Sequence, residues 1–172
     1  MEEKKITSAQ IKGLIISLIV IVLGIAGYFT DLAFTSWFNW VVNVVMFVAI
    51  IFACVHFAKE KEGYVTFSNV FMHGFKISAV IAIILLVYSL LSVNIIFPEI
   101  KEKSIEMQRA NMEQRGMSDD QIETAMNFTK KYFTAFMVFG VIIGTILFGC
   151  IASLIGAAIS KKKPVNPMNQ MN

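Results

Sequence analysis

Four stretches free of Asp, Glu, Lys and Arg, at 13–29, 37–58, 77–97 and 132–160, constrain this chain more than any other feature. The hydrocarbon core of a bilayer is about 30 Å thick and an α-helix rises about 1.5 Å per residue, so roughly 17–25 apolar residues cross it. Each stretch is long enough. Each is too long for a core helix of a globular protein and lacks the alternation of a barrel strand. In lipid the backbone must satisfy its own hydrogen bonds, which leaves helix as the form of each. Composition agrees: 56% of residues are hydrophobic and 16% charged, with a mean hydropathy of +0.68, against about 25% charged for soluble domains. The first run follows Lys4, Lys5 and Lys12 like a signal peptide. It exceeds the usual h-region of about 7–15 residues, and no A-x-A site follows, so it reads as a span.

The expected fold is therefore all-α, one domain over 1–172, with four transmembrane helices and an extramembrane helical segment at 98–131. In that segment 99–115 is rich in good helix formers, and Gly116 supplies a left-handed stop. Ser118 with Gln121 makes a capping box that starts a returning helix. Pro98 should kink the outgoing helix, because its ring opposes the carbonyl of Asn94. Residues 60–75, too short and polar to span, read as a segment lying on the membrane surface. The tail 164–172 has the composition of a disordered end.

Four spans put both termini on one side. That side holds nine of the fifteen basic residues: Lys4, Lys5, Lys12, Lys59, Lys61, Lys76 and Lys161 to Lys163. Lysine and arginine near span ends mark the cytoplasmic face, so both termini are expected in the cytoplasm of a cell with an inner (cytoplasmic) membrane. Lys130 and Lys131, against the fourth run, pull the other way. Tyr28, Trp37, Trp40 and Tyr132 suit the headgroup level at the opposite ends of the spans.

Gly63-Tyr64-Val65-Thr66-Phe67, continued by Phe71 and Gly74-Phe75-Lys76, stands before the third span. Arg115-Gly116-Met117-Ser118-Asp119-Asp120-Gln121-Ile122, with Ala125-Met126 and Lys130-Lys131 behind it, stands before the fourth. In these runs the chain resembles the family named domain of unknown function 4199, small four-span membrane proteins of bacteria. The resemblance implies that architecture. It implies no activity, cofactor or site residue.

Chemistry is sparse. A charge inside the membrane marks most pumps and transporters, and the four runs have none. Asn43, Ser89, Ser92 and Asn94 are the polar exceptions, and their ordinary use is interhelical hydrogen bonding. His56 and His73, with Glu60 or Glu62, match no metal-ligand spacing. Cys54 and Cys150 lie within apolar runs as small hydrophobes. No nucleophile elbow, phosphate loop or nucleic-acid stripe is present. The fourth run carries small residues at Gly140, Gly144, Gly149, Ser153 and Ala157, with a second row at Ala152, Gly156 and Ser160. Such residues let helix backbones approach closely. We expect Gly140, Gly144, Gly149, Ser153 and Gly156 to pack within the chain, a homo-oligomer face being the alternative. The function expected is a non-enzymatic scaffold, accessory or regulatory membrane protein without cofactor or nucleic-acid partner. Transport of small or lipid-like solutes, from a bundle lined by Asn43 and Asn94, is the alternative.

Overall fold

The computed structural model describes residues 6–163; Lys4, Lys5 and the tail 164–172 lie outside the described residues. The chain is all-α, with no strand among the described residues. The helices are α1 (Ala9–Phe29), α2 (Ser36–Glu60), α3 (Phe67–Leu91), α4 (Glu99–Gln114) and α5 (Asp119–Ile159). Four helical stretches are long and apolar enough to cross a membrane: Ala9–Phe29, Ser36–Glu60, Phe67–Ile96 and Asp119–Ile159. Even α1, the shortest of them at 21 residues, is about 31 Å long at the rise of an α-helix. Their outward surfaces are apolar, with Ile95 71% and Phe52 67% exposed. Surface of this kind over four helices is solvated by acyl chains, and the chain is a multi-pass membrane protein.

The helix ends follow from local chemistry. Ser8 caps α1 by accepting from the Ile11 N–H at 3.3 Å. Thr66 does the same for α3, its Oγ1 accepting from the Asn69 N–H at 3.1 Å. Residues 67–75 are thus the opening turns of α3 and no separate surface helix forms. One capped, uninterrupted helix satisfies its backbone better than a bent one would. At the end of α4, Gly116 adopts φ +71°. Its N–H donates to Glu113 O, and the Met117 N–H donates to Met112 O. This pair of bonds is a Schellman stop. The Ser118 N–H then donates to Gln121 Oε1 at 3.2 Å, half of the expected capping box.

Around Pro98 the structure departs from the expected kink. Past Leu91 the helix widens into a π-turn, Ser92–Ile96, closed by the Phe97 N–H on Ser92 O at 2.7 Å. Phe97 then leaves helical space altogether (φ −138°, ψ 66°). A proline disfavours the α region for the residue before it as well as clashing one turn back. The two effects together break the helix, and α4 starts afresh after Pro98.

Contacts divide the chain into two compact units, residues 6–84 with 144–163, and residues 85–143. In the first unit a repeated device draws the helices together. Ser17, Ser78, Ser153 and Ser160 are all buried, and each donates its hydroxyl to the carbonyl four residues earlier. That earlier residue is every time a glycine: Gly13, Gly74, Gly149 or Gly156. Back-bonding satisfies the hydroxyl where there is no water. The glycine and the small serine flatten one face so that another backbone can approach. A Cβ on Gly13 would lie 2.8 Å from Val80 Cβ; one on Gly74 would lie 2.5 Å from both Cys54 Sγ and Ser153 Oγ. On Gly156 it would meet Cys54 Cβ at 2.6 Å, and on Gly149 it would overlap Ser78. These contacts join α1 to α3, α3 to α5, and α2 to both α3 and α5.

In the second unit α4 is followed by the outer part of α5. The long α5 departs from helical geometry at Tyr132 (φ −111°, ψ 15°). Ile122 and Met126, one turn apart, are buried, whereas α4 has no buried residue.

Candidate functional site

Lys12 stands in the second turn of α1 and Glu60 is the last residue of α2, so the short turn between these helices lets their far ends meet. Lys12 Nζ lies 2.7 Å from Glu60 Oε2, and each side chain is only 9% exposed. The Thr7 N–H donates to Glu60 Oε1 at 3.0 Å. His56, one turn back on α2, brings Nδ1 to 3.5 Å from the same oxygen. Lys12 Nζ also sits 5.8 Å above the Phe57 ring, and that ring stacks on His73 of α3 at 3.9 Å. His73 Nε2 is buried without a hydrogen-bond partner among the described residues. Lysine, carboxylate, imidazole and phenyl ring therefore form a clamp across α1, α2 and α3.

This clamp is what the sequence reading missed. Lys12 and Glu60 fall one and two residues outside the uncharged runs, where Lys12 reads as a mark of the cytoplasmic side and Glu60 as a neighbour of the histidines. A lysine aligned with the glycine face of α1 (Gly13, Ile16, Ser17) was the signal available, since all three neighbours are buried. Of the suggested histidine–carboxylate set, the structure brings His56 to Glu60. No group of three or more His, Cys, Asp or Glu suited to a metal occurs among the described residues.

Of the small residues on α5, Gly149, Ser153 and Gly156 come together against α2 and α3, as given above. Gly140 and Gly144 have nothing within 4 Å of an added Cβ. Asn43 Nδ2 donates to Asn39 O at 2.8 Å and Asn94 Nδ2 to Leu90 O at 2.8 Å, each within its own helix. Ser92 is buried in the π-turn, its Oγ without a partner among the described residues.

The second unit holds a different kind of surface. A groove of about 610 Å³ runs between Ser104 and Gln108 of α4 and the Phe128, Phe133 and Phe136 side of α5. Phe128, Tyr132 and Phe136 follow each other at one-turn spacing, with ring centroids 4.8 and 5.7 Å from Phe128. They are 56%, 40% and 51% exposed, so a row of rings lies open beside a charged helix. Lys101 Nζ reaches to 5.8 Å over the Phe133 ring, and Arg109 pairs with Glu113 at 3.0 Å.

The family model described as protein of unknown function (DUF4199) matches residues 12–162. The chain belongs to this family. No curated protein and no solved structure matches it. The part of the chain shared with DUF4199 begins at Lys12 and includes Glu60 and the whole of 98–131. Both the clamp and the aromatic groove thus lie within the DUF4199 region.

Proposed function

We propose that this DUF4199 protein is a non-enzymatic accessory or regulatory component of the bacterial inner membrane, which docks a membrane-protein partner through residues 99–136. Its four spans pack as one bundle, both ends face the cytoplasm, and the α4–α5 hairpin stands on the other side. The single observation that carries this reading is the open row Phe128, Tyr132 and Phe136 beside α4, a helix with no fully buried residue. Aromatic rings flanked by a charged rim are the usual make-up of a protein-docking surface. A headgroup belt accounts for Tyr132, but Phe128 lies a full turn before the uncharged run 132–160. The orientation is supported by the nine basic residues on the terminal side. Asn43 and Asn94, which motivate the transport alternative, each donate an amide N–H to a carbonyl of their own helix.

A photo-crosslinking residue placed at Phe128 or Gln108 should give one discrete protein adduct in native membranes. The same residue at Val22, which is 62% exposed on α1, should give only lipid adducts. Deletion of 99–131 should abolish the adduct while insertion persists. Adducts to lipid alone from all three positions would remove the docking reading.

A further inference from the structure

The end of the first unit where α2 and α5 stop is more cationic than anchoring requires. Here a groove of about 700 Å³ opens, rimmed by Lys59, Lys161, Lys162 and Lys163, with Glu62 as its one carboxylate among the described residues. Two helices end at this place, and the partial negative charge of their last carbonyls works against an anion. Lys162 offsets part of it, since its Nζ donates to Ala157 O and lies 3.4 Å from Ser160 O. The Lys162 and Lys163 ammonium groups are then held at 5.5 and 5.1 Å over the Phe67 and Tyr64 rings. The Lys163 N–H donates to Gly63 O at 2.8 Å, which ties the chain after α5 to the α2–α3 turn and fixes the rim. Lys59 and Lys161 are exposed and make no side-chain pair among the described residues.

The groove's other wall is apolar. Val55, Ala58 and Ile159 line it, and Ile159 is 59% exposed. Ile155, one turn earlier on the same face of α5, is 40% exposed and continues that wall along the span. A cationic rim directly above a lipid-facing apolar track matches an amphiphile with a phosphate at headgroup depth and acyl chains beneath it. A free anion would leave the apolar wall unused, and a zwitterionic headgroup brings its own cation among four lysines.

We propose that this groove binds the headgroup of an anionic glycerophospholipid, with Lys59 and Lys161 on the phosphate and an acyl chain along Ile155 and Ile159. Basic pockets between spanning helices recognise anionic headgroups in this way, and each lysine near the membrane contributes about fivefold in affinity, so two contribute about thirtyfold.

The test uses the full-length protein in detergent, titrated with phosphatidylglycerol or phosphatidylcholine and read by native mass spectrometry. Wild type should retain one phosphatidylglycerol at concentrations where phosphatidylcholine is lost. The Lys59→Gln/Lys161→Gln protein should need about thirtyfold more phosphatidylglycerol for equal occupancy, while Lys130→Gln/Lys131→Gln behaves as wild type. Glu62→Gln, which removes the opposing carboxylate, should tighten binding and guards against a trivial loss through misfolding. Equal occupancy of wild type and the Lys59/Lys161 variant would overturn the proposal. So would equal loss from both lysine pairs, which marks diffuse charge. Displacement of the lipid by millimolar inorganic phosphate would assign the rim to a free phosphate compound and overturn the lipid source.

Discussion

Replacing Lys12 with methionine should destabilise the protein by about 3–5 kcal/mol, the cost of removing one partner from a buried ion pair. Glu60 would remain at the end of α2, 9% exposed, with the Thr7 N–H and His56 facing it. A carboxylate there without its cation must take up a proton or draw in water, and either loosens α1 from α2. The companion change decides the cause. Lys12→Met with Glu60→Met removes both charges and keeps most of the volume, so it should recover the greater part of the loss, since apolar replacement of such pairs is often close to neutral. The measurement is reversible unfolding in mixed micelles by denaturing detergent, with Lys12, Glu60 and the pair compared as a double-mutant cycle. A single variant as stable as wild type would mean that the clamp closes nothing.

Two glycines nine residues apart on α5 should respond to the same substitution with opposite signs. Gly149→Ala places a methyl onto Ser78, whose own hydroxyl is held by Gly74 O at 3.0 Å. Neither can move without parting α3 from α5, and overpacking of this kind costs about 1–3 kcal/mol. Gly140→Ala meets open space and only gains helix propensity, up to about 1 kcal/mol in a helix interior. The same micelle unfolding assay reads both. Equal effects would show that the seam does not run where Gly149, Ser153 and Gly156 place it. Loss of stability in Gly140→Ala would point to a neighbour on that face that one chain does not supply.

The spans were legible because the bilayer imposes one length and one composition on whatever crosses it. The α4 stop was legible for an equally local reason: only a few residues tolerate a left-handed backbone, and Gly116 is one of them. The effect of Pro98 was half visible: its clash with the Asn94 carbonyl predicts a kink, and the added restriction on Phe97 turns that kink into a break. Which glycines form the seam was not readable from spacing alone. Gly140 and Gly144 share the four-residue interval of Gly149 and Ser153, but the interval does not say which side of the helix is covered. The serine four residues after the glycine is the better mark, and it recurs on α1, α3 and α5. The Lys12–Glu60 clamp joins residues 48 positions apart, and no local pattern reports a pairing between the start of one helix and the end of the next.

All of this requires four crossings of one membrane, which sided labelling tests most directly. Single cysteines introduced by Gly116→Cys and Lys163→Cys, in a background with Cys54 and Cys150 replaced by alanine, would be probed in intact cells with a membrane-impermeant maleimide. The reagent should modify position 116 from outside and reach position 163 only after lysis. Labelling of both positions in intact cells, or of neither until lysis, would contradict a chain that crosses four times with its hairpin opposite its ends.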